Sequence, residues 1–107
     1  GQKATLTLFE ERYALLVRDA HPLAARAGVR WAELGGLPLC LLTPDMQNRR
    51  IIGGLLGGAG VPVAPRIETN STIVLVAHVL AGPWATILPM GAAEPFLADG
   101  ALAAVPL

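Results

Sequence analysis

The stretch "LPLCLLTPDMQNRR" (residues 37–50) changes character after its sixth residue, and it decides how the rest of the chain is interpreted. Residues 37–42 form a continuous apolar run, which is typical of a strand buried on both faces of a parallel sheet. Thr43 suits a helix N-cap, Pro44 the first helical position and Asp45 the first turn, where a carboxylate meets the positive end of the helix dipole. The stretch therefore predicts a central strand that leads directly into a helix.

Strand and helix patterns alternate along the chain. Further strands are predicted at residues 5–9, 13–17, 66–68, 85–88 and 102–107, a helix at 73–80, and a turn with a short helix at 89–98. Residues 23–34 are predicted to be partly helical, with Val29, Trp31 and Leu34 as core candidates. This alternation predicts an α/β fold, with an open, mostly parallel sheet of about five strands and helices on both faces. The helix that begins at Thr43 contains glycine pairs at 53–54 and 57–58. Either these glycines let another backbone come close, or the second half of the helix frays.

The composition indicates one small domain that does not bind nucleic acid directly. The chain has 107 residues, eight acidic and eight basic side chains, and hence no net charge to attract DNA or an anionic membrane. We expect residues 3–107 to form a single α/β subdomain and interpret residues 1–2 as a cloning remnant. Only 15% of the residues are charged, which indicates that another domain or subunit covers part of the surface.

Neither a membrane span nor a secretory leader is predicted. The uncharged stretch at residues 51–65 is shorter than the ~20 residues of a membrane helix and is interrupted by Gly and Pro. The first residues lack the apolar core of a signal peptide. Cys40 is the single cysteine, so it forms no internal disulfide, and we expect a reducing, cytoplasmic location.

Uncharged polar side chains concentrate at two predicted strand-to-helix junctions. One cluster is Thr43, Gln47 and Asn48, and the other is Thr69, Asn70, Ser71 and Thr72. In open α/β sheets ligands bind beyond the carboxyl ends of the strands, so both clusters are expected at one edge of a crevice. Arg49, Arg50 or Arg66 would supply charge for a small acid. Alternatively, Thr43 and Ser71 only cap helices; that role is the commoner one for each residue alone, whereas the paired clusters favour a pocket.

The sequence offers no group that predicts catalysis, a metal site or a cofactor. Ser71 is the only serine, His21 and His78 are far apart, and Cys40 lies within an apolar strand. No spacing suits a metal site, and "GLLGGAG" lacks the lysine of a phosphate-binding loop. We therefore expect a binding protein rather than an enzyme, and Trp84 is interpreted as a core residue in preference to a wall of the crevice.

Several segments in order resemble one protein family. They are "EERYALLVRDAHPLA" (10–24), "WAELGGLPLCLLTPDMQNRR" (31–50), "IETNSTIVLVAHVLAG" (67–82), "TILP" (86–89) and the closing "GALAAVPL". Together they resemble the effector-binding region of LysR-type transcriptional regulators. The resemblance implies a fold like a type II periplasmic binding protein, in which two Rossmann-like α/β lobes hold a small-molecule inducer between them. The chain corresponds to the second lobe, with crossover strands near 5–9 and 102–107.

The resemblance also implies the site residues and partners. Inducer contacts fall on Thr43, Pro44, Gln47, Asn48, Glu68, Thr69, Asn70 and Ser71. Candidates for a homodimer interface are Ile73, Val74, Ala77 and His78. The implied function is ligand sensing and oligomerisation in a bacterial, cytoplasmic regulator, whose first lobe and helix-turn-helix domain lie outside this chain.

Two points stay open at the level of sequence. A lobe of a periplasmic solute-binding protein would share the implied fold and is the alternative function. The chain also departs from the family at "AGPWATILP", where Pro83 and Trp84 follow Gly82 in place of a Gly-x-Gly pattern. This departure leaves the size of the local pocket undetermined.

Overall fold

The computed structural model of the chain describes residues 12–107, where strands and helices alternate as the sequence predicts. The strands are β1 (Tyr13–Arg18), β2 (Cys40–Leu42), β3 (Ile67–Thr69), β4 (Thr86–Pro89) and β5 (Leu102–Pro106). The α-helices are α1 (Gln47–Gly58), α2 (Thr72–Ala81) and α3 (Met90–Ala93), and short 3-10 helices cover Trp31–Leu34 and Glu94–Phe96. The strand predicted at residues 5–9 lies outside the described residues.

The strands form two sheets that share one bridge. β1 lies between β4 and β5 and is antiparallel to both, whereas β2 and β3 form a parallel pair. A parallel bridge between Leu39 and Ala85 joins the two sheets. In this bridge the Cys40 N–H donates to the Ala85 carbonyl at 2.9 Å, and the Ala85 N–H donates to the Pro38 carbonyl at 3.1 Å.

The prediction of a mostly parallel five-stranded sheet is wrong. The pairings above mean that β2, β3, β4 and β5 run in one direction and β1 alone runs in the other. The intervening helices act as crossovers and account for the shared direction of the four later strands. β1 inserts between β4 and β5, and this placement makes two of the strand interfaces antiparallel.

The core has two halves, one on each side of the strands. α1 packs Ile52 and Leu56 on one face with Leu15 of β1, while α2 packs Leu75 and Val79 on the other face with Leu16. Neighbouring residues of β1 point to opposite faces, so the strand contributes to both halves. The helices therefore cover both faces, as expected.

Cys40 belongs to the core on the α2 face. Its side chain is completely buried beside Leu75 and Val79. Burial disfavours the thiolate and raises the pKa of the Cys40 thiol to about 11. The residue is therefore a packing residue of β2, as the sequence predicts.

The start of α1 differs from the prediction. The Met46 N–H donates to the Thr43 carbonyl at 3.0 Å, so Thr43, Pro44 and Asp45 form a turn before the helix. Met46 is the N-cap, without a side-chain hydrogen bond, and the first helical residue is Gln47. The N-cap role of Thr43 and the helical position of Pro44 are therefore wrong, because Pro and Asp suit a turn as well as a helix start.

The glycines of α1 fit neither predicted alternative. The helix is regular to Gly58, so its second half does not fray. Among residues 12–107, a Cβ at Gly54, Gly57 or Gly58 would meet nothing within 4 Å, so no described backbone approaches there. Only Gly53 faces a neighbour, a Val63 methyl at an ordinary 3.8 Å.

The segment before β2 and the helix α2 follow the predictions more closely. Val29 and Leu34 are buried, and the Trp31 ring packs edge-on against Tyr13 with centroids 6.0 Å apart. The Ser71 hydroxyl caps α2 by accepting a hydrogen bond from the Val74 N–H at 3.3 Å.

We predict that Gly54→Ala raises the free energy of unfolding by about 1 kcal/mol, since the new methyl meets open space and alanine favours a helix. Gly36→Ala is the matched control; at φ 88° an L-residue is strained, and we expect a loss of about 1 kcal/mol. Urea denaturation of the variants measures both changes. Destabilisation by Gly54→Ala would show that this face of α1 is not open.

Candidate functional site

The two predicted polar clusters meet at the carboxyl ends of β2 and β3. The Thr43 N–H donates to the Thr69 carbonyl at 3.0 Å, which continues the parallel pairing one step beyond the strands. The turn at residues 43–46 and the N-terminus of α2 therefore lie side by side. We call this edge, formed by residues 43–48 and 68–71, the polar rim.

Side chains of the polar rim are at the surface rather than in the core. Thr43, Asn48, Thr69 and Ser71 are half-buried, while Pro44, Gln47, Glu68 and Asn70 are exposed. The hydrogen-bonding groups of the polar rim are thus held by the fold and remain accessible to solvent.

The turn at the start of the polar rim carries a stabilised carboxylate. The pKa of Asp45 lies below its usual value, first through the Thr43 hydroxyl, then through its own backbone N–H and the positive charge of Arg50. The Thr43 hydroxyl oxygen is buried and has no hydrogen bond of ordinary geometry within residues 12–107, although it is near enough to act on Asp45. The Thr43 hydroxyl therefore lies beside the Asp45 carboxylate and has hydrogen-bonding capacity for a further partner.

The hydroxyls on the β3 side of the polar rim already have local roles. The Thr69 hydroxyl accepts from the Ser71 N–H at 3.2 Å, and the Ser71 hydroxyl accepts from Val74 as the cap of α2. The capping alternative is therefore correct for Ser71. Each hydroxyl still has its O–H to donate, so capping does not exclude a ligand contact.

The three candidate arginines are not equivalent. Arg49 has only 11% of its side chain exposed; it donates to the Leu42 carbonyl at 2.8 Å and pairs with the Glu68 carboxylate. Arg50 is exposed and donates to the Asp45 carbonyl at 3.1 Å. Arg66 is also exposed, but it lies at the amino end of β3, where its N–H donates to Leu39, and is therefore away from the polar rim.

Other chain segments reach the same edge. The Met90 N–H, just after β4, donates to the Arg12 carbonyl at 2.7 Å, and the Leu107 N–H, just after β5, donates to the Tyr13 carbonyl at 3.0 Å. The carboxyl ends of β4 and β5 and the amino end of β1 therefore lie at the edge that carries the polar rim.

Trp84 lies at the opposite edge, because it precedes β4, which runs parallel to β2. It lines a surface cavity of about 370 Å³ together with Arg18 and His21. Trp84 is partly buried against the core on the α2 face and is not a wall of the polar rim. Sequence reasoning missed this cavity, and the only local signal was the unusual "GPW" before β4.

Two kinds of site are not found in the described part of the chain. Within residues 12–107, no three His, Cys, Asp or Glu side chains are grouped closely enough to hold a metal ion. In the same range, none of the helices has the length and apolar character needed to cross a membrane.

The fold is an α/β domain whose polar rim lies at the carboxyl ends of β2 and β3, the position at which open α/β sheets bind ligands. The family model for the LysR substrate binding domain matches residues 4–107, and the chain belongs to this family. It is therefore an effector-binding domain of a LysR-family transcriptional regulator, and regulatory domains of this family are typically not enzymes.

Solved structures show the same fold. An OxyR mutant from Corynebacterium glutamicum matches with a TM-score of 0.78 and 23% identity, over 92% of this chain and 30% of that chain. HinK from Pseudomonas aeruginosa, a LysR family transcriptional regulator, matches with a TM-score of 0.76 and 24% identity, over 91% of this chain and 33% of that chain.

The CcmR regulatory domain from Synechocystis, solved in complex with 2-PG, matches with a TM-score of 0.78 and 18% identity. The match covers 89% of this chain and 46% of that one, so this chain spans less than half the length of the structures it resembles. A comparison with curated protein sequences gives no significant match.

We predict that Arg49 stabilises the polar rim by joining α1 to β2 and β3. Arg49→Gln should lower the free energy of unfolding by about 2 kcal/mol, because a shielded guanidinium loses bonds to a carbonyl and a carboxylate. The matched control Arg50→Gln, at an exposed position, should change it by less than about 0.5 kcal/mol.

A double-mutant cycle with Glu68→Gln separates the ion pair from the carbonyl bond. We expect a coupling energy of about 1 kcal/mol or less, since Glu68 is partly exposed to solvent. Zero coupling would show that the pair contributes nothing in solution.

Proposed function

We propose that this chain is the second lobe of a two-lobed effector-binding domain, and that its polar rim binds a small acidic effector facing the first lobe. The observation that carries the proposal is the Thr43–Thr69 hydrogen bond, which unites the two polar clusters at one edge. The match to about half of the CcmR regulatory domain supports a single lobe.

The polar rim supplies the chemistry for recognising an acid. Its proposed ligand-binding residues are Thr43, Pro44, Gln47, Asn48, Glu68, Thr69, Asn70 and Ser71. Hydroxyl and amide donors lie beside the N-terminus of α2, where free N–H groups and the helix dipole favour a negative group. Arg49 is engaged by Glu68, so of the two arginines at the start of α1 it is Arg50 whose charge is exposed to a ligand.

The proposed mechanism is a change in the arrangement of the two lobes. An effector that touches both lobes favours the arrangement for which it has the higher affinity. This shift would alter DNA binding by a helix-turn-helix domain outside the chain. A solute-binding lobe for transport would share the fold, but the match to a regulator family favours the sensor.

Effectors differ among the relatives, so the identity of this one has to be found by screening. The CcmR structure holds 2-PG, and one OxyR structure is H2O2-bound. A thermal-shift screen of small acids against the complete two-lobed region of the parent protein is the direct test. The chain alone supplies half of the contacts, so we expect no tight binding to it; submicromolar affinity for the chain alone would contradict the two-lobed proposal.

For an acid identified in this way, we predict that Asn70→Ala or Arg50→Gln in the two-lobed region weakens binding about 5- to 20-fold, the loss expected for one hydrogen bond to a charged group. Arg66→Gln is the matched control, since it removes the same charge at the opposite edge. Calorimetry measures the three affinities. Unchanged affinity in both rim variants would place the effector elsewhere.

We also propose that the regulator forms a homo-oligomer through the α2 surface that contains Ile73, Val74, Ala77 and His78. Ile73 is 71% exposed and Val74 and Ala77 are exposed beside it, which is unusual for apolar helix residues facing water. His78 is half-buried, and its Nδ1 lies 2.8 Å from the Val74 carbonyl, so it is held against its own helix.

We predict that Ile73→Asp lowers self-association of the chain at least about tenfold, because a carboxylate would be desolvated in the interface. Ile51→Asp is the matched control on α1, where Ile51 is 40% exposed on the other face. Sedimentation of both variants measures the effect. If only Ile51→Asp caused dissociation, the interface would lie on α1 and not on α2.

A further inference from the structure

The cavity beside Trp84 lies at the far edge of the sheet from the polar rim. It has a volume of about 370 Å³ and is lined by the turn after β1 and by the link between α2 and β4. The lining residues are Arg18, Ala20, His21, Pro22, Gly82, Pro83 and Trp84. A volume of this size accommodates a small molecule with a single ring.

One wall of the cavity is an indole ring held in place by its neighbours. A Cβ on Gly82 would come within 3.3 Å of Trp84 Cδ1 and 3.5 Å of Trp84 Nε1, so the ring lies directly against the glycine. The other part of Trp84 packs on the core of the α2 face. The aromatic wall is therefore formed before any ligand arrives, which lowers the entropy cost of binding.

The opposite wall is a turn fixed by backbone hydrogen bonds. The His21 N–H donates to the Arg18 carbonyl at 2.9 Å, and the Asp19 N–H donates to the Ala101 carbonyl at 3.0 Å. The Leu23 N–H donates to His21 Nδ1 at 3.0 Å, so in the neutral ring the proton is on Nε2. His21 thus presents Nε2–H as its remaining donor.

The ionisable groups that line the cavity favour an anion. Arg18 is an exposed guanidinium at the end of β1, His21 presents an N–H donor, and among the described residues that line the cavity none is acidic. A guanidinium binds a carboxylate in a planar, bidentate manner, and an indole face stacks on a flat ring. A ligand that uses both features therefore carries a carboxylate and a flat ring.

We propose that this cavity is a second small-molecule site, which binds a small planar aromatic carboxylate with its ring against Trp84 and its carboxylate at Arg18 and His21. The site is separate from the polar rim and lies wholly within this lobe. It therefore binds its ligand without the first lobe, unlike the proposed effector site.

The test is a titration of the ¹⁵N-labelled chain with benzoate, observed at the two indole N–H signals. We expect the Trp84 signal to shift in a saturable manner, with a Kd on the order of 1 mM for so small a ligand. The Trp31 signal is an internal control, because that ring packs near Tyr13 in the other half of the core. Benzamide, which has the same ring without the charge, should bind at least about fivefold more weakly.

Two substitutions of surface arginines test where the carboxylate of benzoate binds, and neither changes the core. Arg18→Gln should weaken benzoate at least about fivefold, whereas Arg66→Gln, which changes an arginine of a different cavity, should not. Gly82→Ala should also weaken binding, since its methyl displaces the indole.

Three results would overturn the proposal: no saturable shift of the Trp84 signal, equal binding of benzamide, or equal binding to the Arg18→Gln variant. If Asn70→Ala abolishes the shift while Arg18→Gln leaves it unchanged, benzoate binds at the polar rim and the second site does not exist. Failure here leaves the effector proposal standing, because that proposal depends on different residues and on the two-lobed protein.

Discussion

β1 is the strand on which the arrangement depends. It is hydrogen-bonded along both edges, to β4 and to β5, and the side chains of its first five residues are buried. A strand with both edges paired is fixed in register, since a shift of one residue would exchange the side chains that pack towards α1 with those that pack towards α2. β1 therefore fixes where β4 and β5 end, and the Leu39–Ala85 bridge extends this order to β2 and β3.

The polar rim is held in place by its contacts with the strands. Thr43 is tied to Thr69 through the backbone, and Arg49 joins the helix after β2 to both parallel strands. Side chains such as Asn70 stay exposed on a backbone that is already ordered, which suits recognition of a small molecule at low entropic cost. The family match and this geometry both support the proposed sensor, whose ligand contacts would lie at the surface of one edge.

Much of this could be predicted from the sequence, and the failures have physical causes. Apolar periodicity and caps located β1, α2 and the strand-end clusters, because those signals are local. The prediction of a mostly parallel sheet is wrong at β1, since periodicity does not reveal which strands pair. Thr43 was misassigned because Thr-Pro-Asp suits a turn as well as a cap. The cavity at Trp84 was missed because Arg18 and His21 reach it from more than sixty positions earlier in the chain.

Because Cys40 is buried, the rate at which its thiol reacts is a measure of the opening of the domain. It is the single cysteine, and it sits in β2, whose backbone joins the two sheets. Thiol reagents need access to the sulfur, and Cys40 is completely buried, so alkylation requires β2 to separate from its neighbours. The labelling rate in native buffer thus reports the opening of the joint between the sheets, at a cysteine that the sequence already contains.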